Sequence, residues 1–217
     1  MPLLVPRNPF RTAHWVAGAG GELARKPRSS WHSEAVPEVL RVGVDDWVVG
    51  CCLDPPSVGQ KVEWLLQFHK RGTGWYGDAE STEQLHVDAT ELPDWEGLTN
   101  GRRPLLLRTS GGASLYYETT SRTVGGLRLS GSISIPQHGE APDSFPVVHG
   151  LVERVRMAHT MYEQRPAGSR SWEPALPADV LYEELQAAPK WFPSYDGVAE
   201  RARFSNSVLV DLAVRRN

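Results

Sequence analysis

Apolar and polar residues alternate over short stretches from Val39 onward, and this alternation predicts strands. Val62, Trp64, Leu66 and Phe68 fall on one side of a stretch whose other side is Lys61, Glu63, Leu65 and Gln67. A period of two sends successive side chains to opposite faces, so one face is buried. Leu127, Leu129, Gly131, Ile133 and Ile135 alternate in the same way with Arg128, Ser130, Ser132 and Ser134, and Pro136 ends the run. Near the C-terminus Val208, Val210, Leu212 and Val214 alternate with Leu209, Asp211 and Ala213. Shorter β-rich runs are Val39–Val44, Trp47–Val49 and Leu85–Ala89. Leu105–Thr109 and Ser114–Thr119 read as a hairpin across Gly111-Gly112. Asp45-Asp46 and Asn100-Gly101 are turn signals.

One stretch needs a choice between periods. Leu151–Gln164 fits a strand through Leu151, Val155, Met157 and Met161, and also fits a helix. It follows Gly150 without a helix cap and lies among strands, so strand is preferred. Asp179–Ala188 predicts a helix: Asp179 is a plausible N-cap, and Val180, Leu181, Leu185 and Ala188 form a stripe that Pro189 stops. Many short strands joined by Gly/Pro-rich turns imply a mostly β fold. The expected form is a small closed or partly open antiparallel β-barrel with one late α-helix, and a lipocalin-like barrel is the alternative. Residues 1–38, with Pro2, Pro6, Pro9, Pro27 and Pro37, predict a basic N-terminal arm; residues 39–217 form the barrel domain.

Composition narrows the function. The chain has 217 residues and a net charge of −3. A negative balance argues against a dedicated nucleic-acid binder, which relies on neutralising phosphates. No stretch approaches the ~20 apolar residues of a membrane helix. Two cysteines, Cys51 and Cys52, are adjacent. Ordinary disulfide geometry is not expected between neighbours, so the cysteines predict no disulfide framework and a reducing, cytoplasmic setting.

The candidate chemistry is sparse. Cys51 and Cys52 read first as packed, inert thiols, with a reactive thiol as the functional alternative. A zinc site would call for spaced pairs, so no metal and no cofactor is expected. The histidines are dispersed, and neither a G-x-S-x-G nor a phosphate loop occurs. Trp64, Trp75, Tyr76 and Trp191 are the aromatic candidates for contact with a ligand or partner. Trp75-Tyr76 stands out because Gly72, Gly74 and Gly77 surround it.

Four pieces in order resemble a family of actinobacterial proteins of unknown function. They are Cys51-Cys52 ahead of Pro55; Val58-Gly59 with Val62 and Trp64; Gly150-Leu151-Val152 with Val155; and Lys190-Trp191-Phe192 before Val208–Leu212. The resemblance spans roughly residues 47–212, implies a compact β domain and carries no catalytic residue. With no catalytic motif, the chain reads as a non-enzymatic β-barrel binding or interaction protein. Its expected partner is another protein or a hydrophobic small molecule. The alternative is a barrel enzyme of the cyclase or isomerase type that works by shape and positioning.

Overall fold

A computed structural model describes residues 37–70, 80–96, 98, 101–137, 139–168, 170–175, 179–192, 196–198 and 201–215. The expected arm lies outside these residues up to 36. The elements run β1 (Glu38–Asp45), α1 (Asp46–Cys51), β2 (Lys61–Trp64), β3 (Leu66–Lys70), β4 (Glu83–Glu91), β5 (Arg103–Thr109) and β6 (Ser114–Thr119). They continue as β7 (Gly125–Ser134), β8 (Val148–Gln164), β9 (Trp172–Pro174), β10 (Val180–Leu185), β11 (Asp196–Val198) and β12 (Arg201–Val214).

Five strands close on themselves. β3 pairs β7, β7 pairs β4, β4 pairs β5, β5 pairs β6, and β6 returns to β3. Closure leaves none of the five with an open edge along the ring, which removes the usual template for aggregation. β7 is long enough to leave the ring. β4 holds one of its edges as far as Gly131, and β1 takes over that edge at Ile133. From there the sheet continues through β12 to β8. The far edge of β8 is lined in turn by β2, β10 and β9.

One core serves both parts. Leu66, Phe68, Leu105, Leu107, Leu115 and Ile133 fill the ring, while Val42, Val44, Val152, Val155, Val210 and Leu212 continue the core under the sheet. A smaller cluster of Tyr116, Ala141 and Phe145, flanked by Leu65 and Trp95, covers the outer wall of the ring. The β5–β6 turn uses Gly112 at φ +94°, where a side chain would be strained.

The structure corrects the sequence reading in three places. The expected antiparallel barrel has one parallel seam, β3 with β6, and the sheet that continues from it has another parallel contact, β1 with β7. Asp179–Ala188 is not a helix: Val180–Leu185 is β10, bonded residue by residue to β8 from Val155 to Thr160. The apolar stripe suits a helix, but the exposed edge of β8 offers six residues of backbone pairing that an isolated short helix does not match. Conversely, Trp47–Val49 is not a strand but the middle of α1, which buries Val48 and Val49 against β1 and β12. Leu151–Gln164 is strand, within β8. Among the described residues no helix is long and apolar enough to cross a membrane.

Candidate functional site

The parallel seam between β3 and β6 is short, and a cleft opens where it ends. The two strands are in register only at Leu66 with Leu115 and Gln67 with Tyr116. Beyond that point β3 follows β7, with His69 opposite Ser132, and β6 follows β5, with Glu118 opposite Pro104. The strands therefore splay. The gap is a recess of about 270 Å³ walled by Phe68, His69 and Lys70 on one side and Tyr117, Glu118 and Thr119 on the other. Phe68 and Tyr117 meet edge to face, with ring centroids 5.4 Å apart, and join the recess to the core.

Its polar groups are held from behind. The Trp95 indole N–H donates to Tyr116 Oη at 2.7 Å, and Tyr116 Oη–H donates to Glu118 Oε1 at 2.9 Å. Burial, aided by Glu118, raises the pKa of Tyr116 well above its ordinary value, so the phenol keeps its proton and remains a donor. The Glu118 side chain is only 9% exposed, and its Oε2 lies 3.9 Å from Arg102 Nη1. Gln67 Oε1 is buried beside this chain with no hydrogen-bond partner among the described residues. Arg102 and Lys70 are more exposed than Glu118, so the recess has an acidic wall and a basic rim.

His69 Nε2 lies 2.7 Å from Ser134 Oγ, and Ser134 is buried. Burial lowers the His69 pKa below its ordinary 6.5, outweighing the opposing pull of Glu140. The unfolded chain therefore takes up this proton first as pH falls. The associated stability is whole above the unfolded value and is lost as pH falls from there through the folded value. His69→Gln is expected to flatten the fall in stability between about pH 7 and pH 5. Urea unfolding of both proteins at each pH checks this, and identical falls would assign the effect to another group.

The residues singled out in the sequence do not converge here. Trp64 is a core residue of β2, 5% exposed. Trp191 is 78% exposed on the surface. Trp75 and Tyr76 lie outside the described residues. Cys51 and Cys52 are exposed, and their sulfurs are bonded to each other, contrary to the expectation of two packed, separate thiols. The bond forms where the chain leaves α1, with Cys52 already out of helical conformation at φ −134° and ψ −18°. In this state neither sulfur is a thiolate, so neither serves as nucleophile or soft-metal ligand. Cys52 instead borders a small hollow of about 160 Å³ with Trp47, Leu53, Leu65 and Ile135. Among the described residues no group of three or more His, Cys, Asp or Glu side chains could hold a metal ion.

Sequence reasoning missed Tyr116, Glu118, Arg102 and His69. The one available signal was Glu118 at a strand position among apolar and aromatic neighbours. Its meaning depends on Trp95 and Arg102, which the chain alone does not place beside it.

Compared with curated proteins and with solved structures, the chain matches none of them. A model of a family described as a family of unknown function, DUF6578, matches residues 38–214. These limits coincide with the start of β1 and the end of β12, so the match takes in every strand of the fold. The chain, expected from its four short motifs to fall in a family without assigned activity, belongs to this DUF6578 family of unknown function.

Proposed function

We propose that this protein binds a small polar molecule in the cleft between β3 and β6, as a binding rather than a chemical site. The observation that carries this reading is the buried, pre-oriented Glu118 carboxylate facing a basic rim of Lys70 and Arg102 in a recess of about 270 Å³. Small-molecule sites usually occupy roughly 300–1,000 Å³, so the occupant is a compact metabolite rather than a large ligand. Complementarity asks for a donor-bearing group toward Glu118 and an anionic group toward the rim.

The enclosed-ligand alternative loses its room. Leu66, Phe68, Leu105, Leu107, Leu115 and Ile133 occupy the interior that a cyclase or isomerase of hydrophobic substrates would need.

Ligand-observed NMR with a panel of small zwitterions, anions and hydrophobic compounds tests the reading on the full chain. Zwitterions or anions are expected to bind. Glu118→Gln and Arg102→Ala are each expected to weaken binding about tenfold or more, the scale of one lost charge-assisted hydrogen bond. Binding confined to hydrophobic compounds, or unchanged in both variants, would remove the cleft as the site.

A further inference from the structure

A second cluster lies on the sheet, away from the cleft, and uses none of its residues. On three neighbouring strands, β12, β8 and β10, Ser205, His159 and Glu183 form one hydrogen-bonded chain. His159 Nδ1 lies 2.7 Å from Ser205 Oγ, and His159 Nε2 lies 3.2 Å from Glu183 Oε2. Register puts them together: Ser205 and Leu181 are the direct partners of His159 on either side, and Glu183 follows Leu181 by two residues on the same face.

The partners also decide the tautomer. A carboxylate only accepts, so Glu183 takes the hydrogen of Nε2 in the neutral ring, and Nδ1 turns its lone pair toward the Ser205 hydroxyl. A hydroxyl aimed at a base, with that base oriented by a third group, is the arrangement of an activated nucleophile.

Two more features of the same face suit acyl chemistry. Arg203 lies two residues before Ser205 in unbroken register, so it shares that face. Its guanidinium is fixed by the His159 carbonyl at 3.0 Å and by Asp179 at 3.3 Å. It thus stands as a positioned cation beside the serine, the kind of group that stabilises a developing oxyanion. Leu181, 55% exposed, and Met161 provide an apolar shelf next to His159.

A bulge makes this face possible. The register slips at Asn206, so Arg203 and Ser205 share a face with Val208 and Val210 rather than with Ser207 and Leu209. The face is therefore polar at one end and core at the other.

We infer that Ser205, His159 and Glu183 form a serine nucleophile site for small carboxylic esters with a short apolar acyl group. Ser205 Oγ attacks the ester carbonyl carbon while its proton passes to His159 Nδ1. The ester C–O bond then breaks, and the leaving alcohol takes that proton, leaving an acyl-serine. Water attacks the acyl carbon, gives a proton to Nδ1, and Ser205 Oγ leaves with that proton, releasing the acid. The sum is ester plus water to acid plus alcohol. Ser205 and His159 are the catalytic residues, and Glu183 is a positioning residue.

The test uses the full chain with a fluorophosphonate probe and with p-nitrophenyl acetate and butyrate. The expected result is a single adduct on Ser205 by mass spectrometry and measurable ester hydrolysis. Ser205→Ala should abolish the adduct. His159→Gln should slow both reactions about 100-fold or more, the usual scale for loss of a general base. Glu183→Gln should lower kcat roughly tenfold with KM and melting temperature unchanged, a split that a merely structural role would not give. No adduct on the wild-type protein, an adduct on another residue, or hydrolysis that survives in Ser205→Ala while circular dichroism shows native fold would each overturn the inference.

Discussion

Gly131→Ala is expected to destabilise the protein by about 3 kcal/mol or more, and Gly131→Val to prevent the barrel from closing. A Cβ at this position would lie 2.0 Å from the His69 carbonyl oxygen, 2.6 Å from Phe68 Cζ and 2.9 Å from the His69 carbonyl carbon. Two of those atoms are backbone, so a change of rotamer does not relieve the clash. Gly131 pairs with Lys70 of β3 and with Glu83 of β4, which makes it the point where β7 is gripped from both sides. Moving β3 away to admit a methyl group would open the β3–β7 seam and shift Phe68 out of the core. Gly126, on the same strand, is the control, because a Cβ there meets nothing within 4 Å. Gly126→Ala should leave stability within about 0.5 kcal/mol of wild type. Urea unfolding and soluble yield read both, and a Gly131→Ala protein as stable as wild type would contradict the close approach of β3 and β7.

Arg156→Met is expected to destabilise the protein by about 2–3 kcal/mol, somewhat under the usual cost of breaking a fully buried ion pair. Arg156 lies in β8 and is 4% exposed. Its guanidinium reaches Asp211 of β12 at 2.6 Å and Glu80, and it stands 5.4 Å from the ring centroid of Tyr182 on β10. Methionine keeps the stem packing and removes the charge. Glu80 is largely solvated and loses little, whereas Asp211 is mostly buried and is left with Arg154 at 3.9 Å and the charge of Arg41 on the neighbouring strand. The penalty therefore falls chiefly on Asp211, and Arg156→Met with Asp211→Asn should recover part of it. A double-mutant cycle on unfolding free energies measures that coupling. Additive effects would show that Arg156 and Asp211 are not coupled. Arg41 extends the same clamp: its side chain donates to Glu83 at 2.8 Å and to the carbonyl oxygens of Glu80 and Thr82. The two arginines together hold the segment leading into β4 against the sheet.

The outcome for individual elements shows why some of this was legible. The alternation at Leu127–Ile135 and Val208–Val214 identified β7 and the end of β12, although the fold buries both faces of Gly131–Ser134 and of most of Ser207–Val214. That pattern belongs to the strand itself and needs no neighbour to be read. Asp179–Ala188 misled because Val180, Leu181 and Leu185 satisfy a helical stripe, while the actual partner, the edge of β8, lies elsewhere in the chain. Trp47–Val49 misled in the opposite sense. Its β-branched residues favour strand, but burying Val48 and Val49 against β1 and β12 decides for α1. Asn206 escaped notice because a bulge changes which residues share a face without changing their order.

The sequence by itself determined that this protein is mostly β, with many strands separated by turns, and that it belongs with a family lacking an assigned activity. Those properties follow from local period, turn chemistry and motif order. Tertiary structure alone decided the five-strand closure, the parallel β3–β6 seam and the cleft it leaves, the bonding of Cys51 to Cys52, and the meeting of Ser205, His159 and Glu183. Each depends on pairing between segments far apart in the chain or on the backbone path at one turn. Local alternation says that a face is buried; it does not say which strand lies beside it, and the side chains that meet across strands are set by that second choice.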